Sequence, residues 1–244
     1  LADHDIKVYW AGGEVDPPES WPPSASLPEN VHVFPVGRVE TLEHRRGGEP
    51  SARIQGVSRR QGKMLDDSGF HRDAHGLFTV RVAHRTAAAP GEEGDRVHYM
   101  ALGGQHRRQT VDQSPGIAHY AGTPQGRRPA EVGAHGCTLV TVDAAGHVKT
   151  RFLPVDALRW VTEVVEITAS VDEAALLALL DQRVDKLRAK HPDRDLLVTW
   201  EVRGRGELIN YLRPGGLSDD LLEQLRKRYG HDSPAVWSVA LQCD

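Results

Sequence analysis

Cysteine and methionine are scarce in this chain, with two of each among 244 residues. Cys137 and Cys243 stand far apart and neither falls in a metal-ligand spacing, which argues against a disulfide framework and against a thiolate metal centre. Two buried thiols in an intracellular, cytoplasmic protein are the expectation. No run of eighteen apolar residues occurs, so no segment reads as a membrane-spanning helix. The opening residues, Leu-Ala-Asp-His-Asp, have neither the basic start nor the apolar core of a signal peptide. An excess of one charge is also lacking. The net charge of −4 excludes a strongly basic nucleic-acid coat but leaves room for a local basic patch. There is no initiating Met, and residues 6–11 already read as a buried strand, so sequence upstream of Leu1 is expected to be missing.

What is present reads as two regions. Through residue 159 the pattern is mostly β. Strands are expected at 6–11, 31–36, 38–42, 53–57, 77–84 and 98–102, with a hairpin pairing 137–142 to 147–152 across Asp143-Ala144-Ala145-Gly146. A proline-laden loop separates the first two, because proline fixes φ and removes a donor. Trp10 and Trp21 flank that loop and are read as core packing rather than as a base-stacking pair. From Trp160 the order changes to strand, helix, strand, helix, strand. Ser170 and Glu173 form a capping box ahead of a helix over 172–190, with Leu176, Leu179, Leu180, Val184 and Leu187 on one face. A second helix, capped by Ser218, runs 219–229 and stops at Gly230. The expected domains are therefore 1–159 and 160–244.

Two strand ends carry chemistry-bearing residues: Val82-Ala83-His84-Arg85-Thr86, and Tyr99-Met100-Ala101-Leu102-Gly103-Gly104-Gln105-His106-Arg107-Arg108. Tyr120-Ala121-Gly122-Thr123-Pro124-Gln125-Gly126-Arg127 and Gly133-Ala134-His135-Gly136-Cys137 follow, and Leu27-Pro28-Glu29-Asn30-Val31-His32-Val33-Phe34 precedes. In this order, over about residues 8–160, the segments resemble the calcineurin-like metallophosphoesterases of the SbcD-type and YhaO-type DNA-repair exonucleases. That resemblance implies an α/β metallophosphoesterase sandwich flanked by helices, with its N-terminal part missing, followed by a small α+β capping domain. It also implies a Mn²⁺-dependent phosphodiesterase activity in the family, in which two metals about 3.5–4 Å apart activate water and neutralise the phosphate.

The departures from the family pattern are as informative as the matches. The family's Asp-x-His and Gly-Asp elements have no counterpart here. Where it carries Gly-Asn-His-Asp, this chain reads Gly12-Gly13-Glu14-Val15-Asp16, and the first histidine of Gly-His-x-His is Gly104. By resemblance His84 and His106 remain as ligands, one for each metal, and a lone imidazole does not hold Mn²⁺ against water. Glu14 and Asp16 are candidate replacement carboxylates. The competing reading makes His84 and His106 ordinary hydrogen-bonded residues at strand ends. No catalytic residue is assigned, and Mn²⁺ is not expected to be retained.

Arg107, Arg108 and Arg127 are the candidate phosphate-binding residues, with solvated surface charge as the alternative. The expected function is that of a catalytically impaired homologue serving as a DNA- or partner-binding scaffold. Its alternative is an active Mn²⁺-dependent exonuclease subunit whose ligand-bearing N-terminal segment lies outside this sequence. The resemblance implies duplex DNA ends and an SbcC-like or YhaN-like coiled-coil ATPase as partners. A homodimer is a further expected assembly, and no membrane is involved.

Overall fold

The computed structural model describes residues 2–4, 6–60, 62, 69–84, 97–112, 116–212 and 216–243. The chain forms two compact units. The first comprises Leu1–Thr123 and Cys137–Leu153, and the second comprises Pro124–Gly136 and Pro154–Asp244. The sequence division at residue 159 cuts into the opening strand of the second unit, which also takes in residues 124–136.

In the first unit, β1 (Val8–Trp10) and β2 (Val31–Val33) pair in parallel. A six-stranded sheet follows, from β3 (Glu40–Arg46), β4 (Glu49–Val57), β5 (Phe78–His84), β6 (Tyr99–Gly103), β7 (Gln109–Asp112) and β8 (Ile117–Tyr120). Their order is β3-β4-β5-β6-β8-β7, with β4, β5, β6 and β8 parallel and the two outermost strands antiparallel to their neighbours. The hairpin from β3 to β4 turns at Gly47 and Gly48, both at positive φ, which glycine adopts without steric cost. β9 (Gly136–Val142) and β10 (Val148–Pro154) make a separate two-stranded sheet. Their turn is held by Asp143, whose Oδ1 accepts the N–H groups of Ala145 and His147 at 2.9 Å each.

Among the described residues, buried apolar side chains of this unit gather in two clusters. Val97, Met100, Leu102, Ala118 and Tyr120 form one, and Val57, Phe70 and Ala83 the other. Phe34 is fully buried and lies flat on Gly56, where an added Cβ would meet its ring at 2.1 Å. No side chain but hydrogen fits there.

The second unit alternates β11 (Leu158–Ile167), α1 (Glu173–Lys190), β12 (Asp195–Gly204), α2 (Glu207–Tyr211), α3 (Leu217–Tyr229) and β13 (Val236–Cys243). The three strands are parallel, with β12 in the middle. Leu196, Val198, Trp200 and Val202 form the inward alternation of β12. Leu176, Leu180, Val184 and Leu187 of α1, with Leu221, Leu222 and Leu225 of α3, join them in one cluster. Trp200 is fully buried, and its Nε1 donates to Ser238 Oγ at 3.0 Å, so the ring is inside without an orphaned donor.

The mixed α/β architecture expected from the sequence is found, and the helical stripe of α1 faces the core with Leu179 only half-buried. Several details differ. α1 begins one residue later than expected, at Glu173, and its cap is Asp172, which accepts the Ala175 N–H at 2.8 Å. Ser170 instead shares a hydrogen bond with Thr168, within the turn that links β11 to the helix. α3 is capped at Gly216 and carries Ser218 buried in its first turn. Cys137 is exposed rather than buried, since it occupies an outward position on β9. Trp10 is likewise no core residue. It is 41% exposed at the end of β1, packed against Trp21 with ring centroids 5.0 Å apart. No helix among the described residues is long and apolar enough to cross a membrane.

Candidate functional site at the strand ends

Four parallel strands of the large sheet finish in step. Val57 of β4 lies opposite Ala83 of β5, His84 of β5 opposite Gly103 of β6, and Leu102 of β6 opposite Tyr120 of β8. The loops beyond such carboxyl ends are where parallel sheets gather their ligand-binding groups. One visitor arrives from the smaller sheet, in the turn that follows β1. The Gly12 N–H donates to Ser58 Oγ at 2.9 Å, the Ser58 hydroxyl donates to the Phe34 carbonyl at 2.6 Å, and the Arg59 N–H donates to the Gly12 carbonyl at 3.0 Å. Ser58 is fully buried, so one hydroxyl satisfies two backbone groups and fastens the turn to the end of β4.

The turn brings Gly13 against the half-buried ring of His84. A Cβ on Gly13 would lie 3.0 Å from both Cδ2 and Nε2 of that imidazole, and 3.6 Å from Asp16 Oδ1. The ring of His84 and the carboxylate of Asp16 thus converge on one residue that lacks a side chain. Glu14 turns elsewhere, to an ion pair with Arg59 at 3.3 Å. Arg85 and Thr86, which complete the His84 motif in sequence, lie outside the described residues.

His106 follows Gly103 by three residues, on a loop backed by the next turn. Its carbonyl accepts the Thr123 N–H at 3.0 Å, and Gly122 sits so close that a Cβ there would stand 2.9 Å from that oxygen. Gly104, where the family's pattern has histidine, holds φ at +90°, in the left-handed region that costs an L-residue about 1–2 kcal/mol. The local backbone is shaped for glycine.

A binuclear manganese centre needs several oxygen and nitrogen donors per ion. Among the described residues no group of three or more His, Cys, Asp or Glu side chains converges. Asp16 and His84 meet at Gly13, Glu14 is committed to Arg59, and Gly104 offers no donor. The donors among the described residues do not by themselves fit the metal pair.

The three candidate phosphate-binding arginines are all exposed, but their settings differ. Arg107 and Arg108 follow His106 in the first unit. The Arg108 guanidinium lies 5.3 Å from the centre of the Phe152 ring, a cation–π contact that steadies it. Arg127 belongs to the second unit, where its N–H donates to Glu131 Oε2 at 2.8 Å. The same carboxylate takes Arg128 Nε at 3.1 Å, so this basic pair stands beside a fixed negative charge that spacing alone did not reveal.

His119 went unmarked in the sequence. It is 1% exposed on β8, with Nδ1 3.1 Å from Thr110 Oγ1 and Nε2 2.7 Å from Thr138 Oγ1. Burial, and then the positive charge of Arg108, hold its pKa below the ordinary histidine value. Neighbouring Tyr99 is pushed up to about 12 by burial, which the Arg108 charge only partly offsets. The ring of His119 and that of Tyr99 line a cavity of about 410 Å³ between β1 and β9, floored by Val82, Ala101 and Leu102. Thirteen histidines in the sequence give no means of singling this one out; only the two threonines brought by β7 and β9 mark it.

No family model matches the chain. Over 258 aligned residues, covering 99% of the chain, it is 26% identical to a Bacillus subtilis (strain 168) protein described as the uncharacterized metallophosphoesterase YhaO. The chain spans 62% of that relative's length. The chain is thus similar to a metallophosphoesterase over nearly all of its own length, and its mixed α/β fold is consistent with that similarity.

Proposed function

We propose that this chain works as a DNA-binding scaffold derived from a metal-dependent repair phosphoesterase, gripping duplex ends without cutting them. The observation that carries this reading is the strand-end cleft. There Gly13 and Gly104 occupy positions where the family pattern has donors, while Arg107 and Arg108 stand exposed directly after His106. Guanidinium groups neutralise phosphate whether or not metal is present, and counterion release makes such binding fall steeply with salt. Arg127, on the second unit, is a weaker contributor because Glu131 shares its neighbourhood. A coiled-coil ATPase of the SbcC-like or YhaN-like kind is the partner that the relationship suggests, and a homodimer the assembly.

Fluorescence anisotropy with a short labelled duplex tests this. Binding is expected at 50 mM salt and should weaken by tenfold or more at 200 mM. Replacing Arg107 and Arg108 together by Ala should weaken it about as much and flatten the salt slope by about two. Incubation of the same duplex with Mn²⁺ should leave it intact. Manganese-dependent cleavage that stops on adding EDTA would overturn the scaffold reading. That result would favour the alternative, in which Asp16 and His84, converging on Gly13, are completed by donors from outside these 244 residues.

A further inference from the structure

A second cleft of about 920 Å³ opens in the first unit, lined by residues at the opposite ends of the same parallel strands: Phe78 at the start of β5 and Tyr99 at the start of β6. Its chemistry is uneven. The Phe78 and His98 rings stack with centroids 5.0 Å apart and an interplanar angle of 26°. The Thr79 N–H donates to His98 Nδ1 at 2.9 Å, which leaves the ring proton on Nε2. Burial, with the Arg72 charge adding to it, holds the His98 pKa low, so this ring is a neutral donor at pH 7. Tyr99 is 7% exposed and its hydroxyl makes no hydrogen bond among the described residues. Arg46, exposed at the end of β3, has no ion pair among them. His44 completes the row, with Nδ1 2.9 Å from the Tyr9 hydroxyl. The single carboxylate in the described lining is Asp143, and its oxygens already hold the backbone of its own turn and the His147 ring.

The cleft therefore combines an aromatic wall at one end, which includes the His98 N–H, with the Arg46 guanidinium and the His44 ring at the other. His44 lies opposite Ala52, and Ala52 opposite Phe78, so wall and donors are two strand spacings apart, about 10 Å. A ligand that satisfies both ends must be planar and apolar on one side and carry acceptor oxygens on the other. We infer that this cleft binds a nucleoside monophosphate, its base against Phe78 and His98 and its phosphate toward His44 and Arg46. The site is separate from the strand-end cleft and does not depend on DNA binding.

Isothermal titration of the 244-residue protein with dAMP, deoxyadenosine and inorganic phosphate decides the matter. For a ligand of this size dAMP should bind with a Kd of about 10–100 µM. Deoxyadenosine should bind at least tenfold more weakly. Arg46→Ala, an exposed change at a strand end, should weaken dAMP roughly tenfold and leave deoxyadenosine unchanged. Phe78→Leu, with its fold checked by circular dichroism, should weaken both. Equal binding of dAMP and deoxyadenosine, an Arg46→Ala protein that binds dAMP as before, or no heat from any of the three at millimolar concentration would each overturn the inference. Since no duplex is involved, such failure leaves the scaffold reading standing, and loss of duplex binding leaves this one standing.

Discussion

His119 and Asp156 are, at the scale of single residues, two opposite kinds of buried titratable group, one held neutral and one held charged. The imidazole is held neutral by burial, with a folded-state pKa below the ordinary 6.5. The unfolded chain therefore takes up the proton first as pH falls. Stability from this group is present above about 6.5 and is lost as pH drops through that value toward the folded pKa. His98, lowered by burial in the same way, adds to the effect. Thermal unfolding followed from pH 7.5 to 5.5 should show a falling midpoint, and His119→Gln should flatten part of that slope. Asp156 is the opposite case. Burial alone would raise its pKa, but hydrogen bonds and charge from Arg159, and the charge of Arg194, carry it below the usual carboxylate range. Both its oxygens are met by Arg159, at 2.8 and 2.9 Å. Removing one partner of a buried pair strands the other, so Asp156→Asn should destabilise the second unit by about 3 kcal/mol in denaturant melts. Neither role was legible beforehand. Asp156 has its partner three residues on, a spacing shared by many unpaired charges, and the exposed Arg127 hid its neighbour Glu131 for the same reason.

Elements were far easier to foresee. Strands such as β5 and β12 announce themselves through alternation or a β-branched run, and α1 through apolar positions at helical spacing that the fold then buries. The strands β7 and β8, four residues each, escaped because so short a stretch holds too few alternations to read. Helix starts were less legible, since Ser170 and Asp172 both satisfy the composition of a cap and only the backbone selects between them. That choice is measurable: Asp172→Ala should cost about 1 kcal/mol of stability, whereas Ser170→Ala should change it little. In the site, the same limit applied to the glycines. Their identity showed which donors had been replaced, but not that Gly13 would lie beneath the His84 ring.

Across the whole molecule, the two units differ in how they are held. Among the described residues the second has one continuous core running from α1 through β12 to α3, while the first is held by smaller separate clusters, by Phe34 on Gly56 and by polar ties such as Asp73, which sits buried against Arg53. Native-state hydrogen exchange should accordingly find its slowest amides in β12 and the adjoining turns of α1, with those of β1 and β9 exchanging earlier. The sequence order of strands and helices was enough to anticipate a β-rich region followed by an alternating one. It could not anticipate that residues 124–136 belong with the latter, because that membership rests on Trp160, whose Nε1 donates to the Gly126 carbonyl at 3.1 Å across 34 positions.

Phe34 resting on Gly56 has a reach beyond its own patch of core. The same phenylalanine offers its carbonyl to Ser58, and Ser58 anchors Gly12, so the altitude of the Asp16 turn is inherited from a ring pressed against a bare α-carbon. Any methyl at position 56 would lift that pillar and tilt the turn with it.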